Sequence, residues 1–331
     1  MTSANSLLTL DRRRLIGGAA GLGGVLSLAA CGVRGGNNAD NTDNADATPD
    51  AAADTERTVD ADNGRVTVPA RPERVVVTDN YSVWMLSDVG MVPVGIPEGT
   101  AAPATLPADI HEAISDVTTI GVPGEPNAQA VASVAPDLIL DQFYAAKAEE
   151  LTPIAPVVHF NWHDSDSLWH QQAERVADAV NRSDRLTEIR DVYQSRLAEV
   201  RDTYADQIAA SVWAPLSGGP NGTFFLGSPL LSVLRDLGLT IGAGISDDEA
   251  GFVEMSYEDL EVLEDCTVLI YSQLFDGELA APTAELVANP VWRGLAPVSA
   301  GRAFPVRHYG VCSYRYANGA VDEIEAILAQ L

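Results

Sequence analysis

The chain has 331 residues, of which 47 are acidic and 20 basic, so its formal net charge is −27 at pH 7. Such a charge repels nucleic-acid phosphates and excludes a nucleic-acid-binding protein. The sequence also contains none of the Gly-x-Ser-x-Gly, His-Glu-x-x-His or Gly-x-x-x-x-Gly-Lys patterns of hydrolases, metalloproteases and nucleotide-binding enzymes. We therefore expect a protein that is not an enzyme.

The N-terminal residues predict an export signal that ends at a cysteine. Arg12–Arg14 precede Leu15-Ile16 and an apolar run that is shorter than the ~20 residues of a membrane-spanning helix. The arginines resemble a twin-arginine signal, and Leu28-Ala29-Ala30-Cys31 resembles a bacterial lipobox. We expect removal of residues 1–30 and a diacylglyceryl thioether on Cys31. The alternative is an ordinary secretory signal with an incidental cysteine.

Residues 31–57 are rich in Asn, Asp, Ala and Thr and nearly free of large apolar side chains. This composition cannot bury enough surface to offset the entropy of ordering the chain, so we predict a disordered acidic tether. About 270 residues then remain for folding, which is enough for two lobes with their own cores.

After the tether, short apolar strands alternate with helices. Thr58–Pro69 alternates around Asp62-Asn63-Gly64 and predicts a hairpin. Strands are predicted at Arg74–Val77, Val92–Ile96, Leu138–Leu140 and Val157–Phe160, and helices at Ser82–Val89, after Asn127 and at Ser165–Val180. Together these elements predict an N-terminal lobe over residues 58–183.

A long helix is predicted over residues 184–207, because its apolar side chains form one stripe at helical spacing. The pattern then restarts, with strands at Ser211–Ala214, Thr223–Leu226, Thr267–Tyr271 and Arg302–Val306, and helices after Ser228, after Ser256 and at Val321–Leu331. We predict a C-terminal lobe over residues 208–331. Strands that alternate with helices indicate an α/β fold with mostly parallel sheets.

A weak internal repeat supports two similar lobes. Leu86-Ser-Asp-Val-Gly90 matches Leu234-Arg-Asp-Leu-Gly238 in spacing. The helix cap at Asn127 and the strand after it match the cap at Ser256 and its following strand without a gap. The alternative is that α/β units look alike in general.

Several short motifs in a fixed order resemble the substrate-binding lipoproteins of ABC importers, in the group for iron–siderophore complexes, haem and cobalamin. The matching segments include Gly64–Pro69, Pro72–Val77, Leu86–Gly90, Pro93–Gly95, Ala135–Leu140 and Asn289–Trp292. The resemblance implies two Rossmann-like three-layer lobes joined by a single long α-helix, with a ligand cleft between the lobes. It also implies an ABC permease and its ATPase as partners, and a location on the extracytoplasmic face of the cell membrane. We expect a monomer.

Candidate ligand-binding residues follow the strands, because open α/β sheets bind ligands beyond the carboxyl ends of their strands. Aromatic side chains recur there and would suit a large organic chelate. Arginine can donate paired hydrogen bonds to chelator oxygens, which singles out Arg307 and Arg315. The aromatic candidates are Tyr81, Phe143, Tyr144, Trp162, Trp213, Tyr271, Tyr309 and Tyr314. The alternatives are core packing for the aromatic residues and surface salt bridges for the arginines.

The family resemblance implies an acidic residue on each lobe that docks on permease arginines. Glu258, in the first turn of a capped helix, fits this role in the second lobe. Its equivalent in the first lobe is Gln129, so either Glu125 takes the role or docking there is uncharged. The alternative for Glu258 is simple placement near a helix N-terminus.

Cys266 and Cys312 remain once Cys31 is lipidated, and in an oxidising compartment they either form a disulfide or stay as two buried thiols. His159 and His163 are four residues apart, but His159 lies on a predicted strand, where this spacing separates the residues by ~13 Å. We therefore predict no metal site and no resident cofactor, with the ferric siderophore as the transported ligand.

The function predicted from these features is a lipid-anchored protein that captures a ferric siderophore and delivers it to an ABC importer. Haem or cobalamin is the alternative ligand for the same fold. A surface hydrolase is the alternative from a different class of protein. The sequence leaves open whether the chelator is a catecholate, a hydroxamate or a carboxylate.

Overall fold

The computed structural model describes residues 55–162, 169–245 and 252–331, all of which belong to one compact unit, Ala52–Leu331. The predicted signal peptide, Cys31 and nearly all of the predicted tether lie outside the described residues. No helix in the three described ranges is long and apolar enough to cross a membrane.

Fifteen strands and twelve α-helices occur in the described chain. The strands are β1 Glu56–Ala61, β2 Gly64–Pro69, β3 Val75–Val77, β4 Gly95–Ile96, β5 Thr118–Thr119, β6 Gly121–Val122, β7 Glu125–Pro126, β8 Leu138–Asp141, β9 Val157–His159, β10 Val212–Gly218, β11 Thr223–Leu226, β12 Thr240–Ile241, β13 Val253–Ser256, β14 Val268–Ser272 and β15 Ala303–Val306. The helices are α1 Asn80–Asp88, α2 Ala108–Ile114, α3 Ala128–Ser133, α4 Ala145–Glu149, α5 Trp169–Ala179, α6 Ser183–Thr203, α7 Ala205–Ala209, α8 Leu230–Asp236, α9 Ala281–Ala288, α10 Pro290–Gly294, α11 Ala296–Ser299 and α12 Tyr314–Leu328. Three 3-10 segments are Pro103–Thr105, Pro220–Gly222 and Tyr257–Leu263.

The first lobe is built on a parallel sheet with the strand order β5-β4-β3-β8-β9. Val75 and Val77 of β3 pack on the face covered by α1 and α5, while Val76 faces Val131 of α3 and Ala148 of α4. Both faces of the sheet are therefore buried, as is usual for parallel sheets. This is the helix–sheet–helix layering of a Rossmann-like lobe. The hairpin of β1 and β2 is antiparallel, as predicted.

The second lobe contains a mixed sheet with the order β13-β11-β10-β14-β15, and β12 also pairs with β10. β10, β14 and β15 are parallel, whereas β11 and β13 are antiparallel to their neighbours. Ile270 of β14 faces the core shared with α8 and α12, and Leu269 faces the opposite side with Leu286 and Trp292. The second lobe is thus also three-layered.

One long helix, α6, connects the two sheets, in agreement with the prediction. It has 21 residues and ends at Tyr204, where the backbone leaves the helical conformation before α7 begins. The predicted helix over residues 184–207 is therefore two helices. The apolar stripe is buried at Leu186, Tyr193, Leu197 and Val200, which fixes the face that α6 turns towards the core.

A single hydrophobic cluster runs through both lobes. It joins Val75 and Val158 of the first sheet to Trp213 and Ile270 of the second sheet, by way of side chains on α1, α5, α6, α8 and α12. Because separating the lobes would expose this shared core to water, the helix layer holds them in a fixed relation.

Helix α12 begins at Tyr314 rather than at the predicted Val321, because its N-terminus is bound by the other lobe. Asp88, at the end of α1, accepts hydrogen bonds from the backbone N–H of Tyr314 (2.7 Å) and of Arg315 (2.9 Å). Ser313 adds a local cap to the backbone N–H of Tyr316 at 3.3 Å. The predicted caps at Asn127 and Ser256 are also present, although Ser256 caps a 3-10 segment.

Candidate functional site

Three aromatic side chains form a wall at the carboxyl edge of the first sheet, which we call the first-lobe wall. Tyr81 follows β3, Phe143 follows β8 and Trp162 follows β9. The ring centroids of Tyr81 lie 5.2 Å from Phe143 and 4.7 Å from Trp162, both edge-to-face. All three side chains are partly exposed. Because adjacent parallel strands end at the same edge, residues far apart in the chain meet here.

Behind this wall lies a buried polar network. The carboxylate of Asp79 accepts hydrogen bonds from the backbone N–H and the hydroxyl of Ser82, both at 2.8 Å. The carboxylate of Asp141 accepts a hydrogen bond from the hydroxyl of Thr78, and its Oδ2 lies 2.5 Å from Nδ1 of His159. These hydrogen bonds fix the strand ends that precede Tyr81 and Phe143, and so hold the rings of the wall in position.

Burial governs the ionisation of this region. The pKa of Asp79 is raised from 3.8 to about 7, mainly because burial removes the hydration of the charged form. The hydrogen bonds from Ser82 oppose this increase, and the nearby charge of Asp141 adds to it. Burial also raises the pKa of the Tyr81 hydroxyl, followed in size by the effects of Cys312 and Asp79. Tyr81 is therefore a neutral hydrogen-bonding phenol at physiological pH.

The aromatic contacts continue from the first-lobe wall into the second lobe. Trp84, one turn along α1 from Tyr81, lies 5.2 Å from the ring of Tyr316 on α12. Tyr316 in turn contacts Phe275, which follows β14, and His308, which follows β15. The carboxyl ends of the two sheets are thus linked by packed rings across the lobe junction.

A cavity of about 240 Å³ lies at the carboxyl end of the second sheet, and we call it the second-lobe pocket. Its lining includes Ser217, Phe225, Gly227, Ser228, Phe252 and Tyr309. The Tyr309 hydroxyl donates to the carbonyl of Gly227 at 3.1 Å, and Phe225 stacks edge-to-face on Phe252 at 5.2 Å. Tyr309 packs against the same hydrophobic cluster as Tyr81 and Trp162, so the pocket and the first-lobe wall both border the core shared by the lobes.

The two arginines predicted as anion anchors have carboxylate neighbours. Arg315 forms an ion pair with Asp109, and its backbone N–H is held by Asp88. Arg307 follows β15 and is exposed, and its backbone N–H donates to the carboxylate of Glu323. Of the two, only Arg307 lies at a strand end.

Three predicted aromatic residues do not join this site. Trp213 is 0% exposed and lies inside β10, where its indole N–H donates to Ser211 at 2.8 Å, so its assignment as a ligand residue was wrong. Tyr314 is 3% exposed and packs on Trp169 at 4.9 Å, so it also belongs to the core. Tyr271 faces Trp292 on the opposite side of the second sheet. Tyr144 contacts Phe143 at 6.2 Å at the margin of the wall.

Of the two alternatives for Cys266 and Cys312, a disulfide or two buried thiols, the structure has the second: both are buried free thiols. Cys266 packs in the core of the second lobe, whereas Cys312 lies in the cluster shared by both lobes. Burial raises the pKa of Cys266 to about 12 and that of Cys312 well above its ordinary value, so both stay protonated.

No group of three or more His, Cys, Asp or Glu side chains with the geometry of a metal site occurs in the described ranges. His159 is engaged by Asp141, and His163 lies outside the described residues. The two predicted docking residues, Glu258 and Glu125, are both exposed.

Sequence reasoning missed five aromatic residues at this junction: Trp84, Phe225, Phe252, Phe275 and Tyr316. Trp84 could have been found from its position one turn after Tyr81 on the same helix. Tyr316 lies on α12, whose start was predicted seven residues too late, and Phe252 directly precedes β13, which was not predicted.

Comparisons with known proteins agree with this architecture. The sequence model of the periplasmic binding protein family matches residues 75–304. A Bacillus subtilis protein named as an ABC transporter substrate-binding lipoprotein is 25% identical over 283 residues, which cover 82% of this chain and 85% of the relative. The Fe(3+)-citrate-binding protein of the same organism is 26% identical over 137 residues, 40% of this chain and 42% of the relative.

Among solved structures, the siderophore periplasmic binding protein from the fuscachelin gene cluster of Thermobifida fusca is similar in fold. Its TM-score is 0.69 at 26% sequence identity, and the match covers 80% of this chain and 99% of that chain.

Proposed function

This chain belongs to the periplasmic binding protein family, and from that premise we propose that it captures a ferric siderophore outside the cytoplasm and delivers it to an ABC importer. The observation that carries the proposal is the aromatic surface at the carboxyl end of each sheet, the first-lobe wall and the second-lobe pocket. Aromatic surface at the carboxyl ends of both sheets suits a large organic chelate, which needs wide apolar contact and few polar anchors. Iron stays chelated by the siderophore, so binding needs no covalent step.

The shared core supports capture without a large closing movement. A continuous hydrophobic cluster and the Asp88 bonds to α12 join the lobes, so their rigid-body separation would break many contacts. We therefore expect small-angle scattering to show little compaction when ligand is added. A large decrease in the radius of gyration would contradict this expectation.

The proposal is tested by fluorescence titration of the soluble chain that begins at Gly32, which contains the whole compact unit Ala52–Leu331. The titrants are ferric siderophores, haemin and cobalamin. We expect submicromolar quenching by at least one ferric siderophore. If haemin or cobalamin alone binds, the ligand assignment is wrong while the binding function stands.

Trp162→Phe is the variant that reports on the first-lobe wall. We expect it to reduce ligand-induced quenching and to weaken binding about three- to tenfold, because the indole contributes much of the contact area. Trp292→Phe is the matched control, since Trp292 is buried against Tyr271 away from the wall. If the two variants lose the same amount of affinity and quenching, Trp162 does not line the ligand site.

We also propose that Cys31 is lipidated and that Glu258 docks on the permease. The lipobox-like sequence supports the first proposal, and the exposed first-turn position of Glu258 supports the second. In cells, Cys31→Ala should move the protein from the membrane fraction to the soluble fraction.

Glu258→Arg should reduce ferric siderophore uptake while leaving binding unchanged, and Glu261→Arg, exposed on the same segment, is its control. Uptake that survives Glu258→Arg would exclude this docking contact.

A further inference from the structure

The tip of the β1–β2 hairpin closes the outer edge of the strand that precedes Trp162. β9 lies at one edge of the first sheet, and among the described strands it pairs with β8 alone. On that side the backbone N–H of Trp162 donates to the carbonyl of Gln142 at 3.0 Å, which continues the pairing beyond the end of β9. The opposite side would leave the backbone groups of an edge strand without partners if the hairpin were absent.

Asp62 and Asn63 at the hairpin tip supply these partners. The Asn63 side chain donates to the carbonyl of Val157 at 3.0 Å and accepts from the backbone N–H of His159 at 3.1 Å. The backbone N–H of Asp62 donates to the carbonyl of His159 at 2.9 Å, and the Asp62 carboxylate accepts from the backbone N–H of Asn161 at 2.6 Å. The two turn residues therefore act as a short additional strand along β9.

Helix α5 fixes the Asp62 carboxylate from a second direction. Arg175 of α5 donates to the two carboxylate oxygens through its two terminal nitrogens, at 2.7 Å and 3.0 Å, and this paired geometry sets the orientation of the carboxylate. The Arg175 guanidinium also lies 4.3 Å from the ring centroid of Phe160, which is buried in the core. The hydrogen bond from Arg175 is the main cause that lowers the pKa of Asp62, so this carboxylate is charged at physiological pH.

We propose that Asp62 is a positioning residue for Trp162, and that the hairpin tip thereby sets the affinity of the first-lobe wall for its ligand. This inference rests on the proposed function. Asp62 holds the backbone at Asn161, one residue before Trp162, and Arg175 ties the same carboxylate to α5. Removal of the carboxylate takes away the acceptor of this backbone N–H, so the indole is less firmly held at 4.7 Å from the ring of Tyr81. An indole that must be ordered when the ligand binds costs conformational entropy and weakens binding.

Acrylamide quenching of the free protein tests the position of Trp162 without any ligand. The contribution of Trp162 is the difference between each protein and the same protein carrying Trp162→Phe. We expect Asp62→Ala to raise the quenching constant of Trp162 at least about 1.5-fold, and Asp62→Asn, which keeps an acceptor oxygen, to restore part of the wild-type value. Asp60→Ala is the matched control, because it breaks only an exposed ion pair with Arg65 on the same hairpin. Equal quenching constants in Asp62→Ala and Asp60→Ala would overturn the inference.

A double-mutant cycle tests whether Asp62 acts on affinity through Trp162. The probes are ferric desferrioxamine B, a ferric tripodal tris-catechol and ferric citrate, and the cycle uses the one that the wild type binds most tightly. Equilibrium dialysis with radioactive iron gives affinities that do not depend on the fluorescence of Trp162. We expect Asp62→Ala to weaken binding about three- to fivefold in the wild type but less than about 1.5-fold in Trp162→Phe. Equal losses in the two backgrounds would mean that Asp62 does not act through Trp162.

The two measurements separate this inference from the proposed function. If the wild type binds none of the three ferric complexes, the proposed function falls together with the effect on affinity, while acrylamide quenching still decides whether Asp62 positions Trp162. If a ferric complex binds and the quenching constant of Trp162 does not respond to Asp62→Ala, the siderophore function stands and the positioning role of Asp62 is wrong.

Discussion

Trp213→Ala is expected to lower the free energy of unfolding by about 4 kcal/mol. The Trp213 side chain is fully buried between the second sheet and the helix layer shared by the lobes. Its removal leaves a large cavity and also deprives the Ser211 hydroxyl of its indole donor. Denaturant unfolding monitored by circular dichroism measures the loss.

The same variant tests whether Trp213 belongs to the hydrophobic core or to the ligand-binding site. The folded fraction of Trp213→Ala should bind ferric siderophore with nearly unchanged affinity, because Trp213 does not reach the cleft. Trp162→Ala should show the reverse, with a small change in unfolding and a large loss of affinity. A strong loss of affinity in Trp213→Ala at temperatures where it stays folded would restore Trp213 as a site residue.

Asp88→Ala is expected to lower the free energy of unfolding by about 3 kcal/mol. The variant leaves the buried backbone N–H of Tyr314 without its acceptor, and it removes the bond from the first lobe to the N-terminus of α12. Asp109→Ala is the control, because it breaks the exposed ion pair with Arg315 and should cost less than about 1 kcal/mol. Equal costs for the two variants would mean that Asp88 does not hold α12.

The ionisation of Asp88 also makes stability depend on pH. Burial raises its pKa from 3.8 to about 7, against the hydrogen bonds from Arg315 and Tyr314 that lower it. The folded state therefore binds this proton more tightly than the unfolded state. The protonation of Asp88 therefore adds to the free energy of unfolding. This added stability is fully present below about pH 4 and is lost as the pH rises through about 7.

Asp88→Asn removes this titration while keeping an acceptor oxygen. We expect the unfolding free energy of the wild type to fall, relative to that of Asp88→Asn, between about pH 4 and about pH 7. Parallel pH profiles for the two proteins would show that Asp88 keeps an ordinary pKa in the folded state. Asp79 contributes a dependence of the same sign to both proteins, so the difference between them isolates Asp88.

Strand ends show where sequence reasoning succeeds and fails at the site. Tyr81, Phe143 and Trp162 lie after strand ends as predicted, because the chain marks the end of each short strand by a change from apolar to polar residues. Their contact with a ligand stays a prediction. Trp213 was misplaced because β10 continues to Gly218, with Pro215 inside it, while the pattern predicted an end at Ala214. Pro is unusual within a strand that has neighbours on both sides, so no local signal indicated the continuation.

The sequence by itself determined the α/β class, the long helix, the helix caps and the family, because hydrophobic period and capping act between residues that are close in the chain. Only the tertiary structure decided which aromatic residues meet at the carboxyl ends of the sheets, that Cys266 and Cys312 remain free, and that Asp109 pairs with Arg315. Each of these outcomes depends on how separate elements of the chain pack against one another. Such contacts are set by how the sheets and helices pack, and the order of residues along one segment does not contain them.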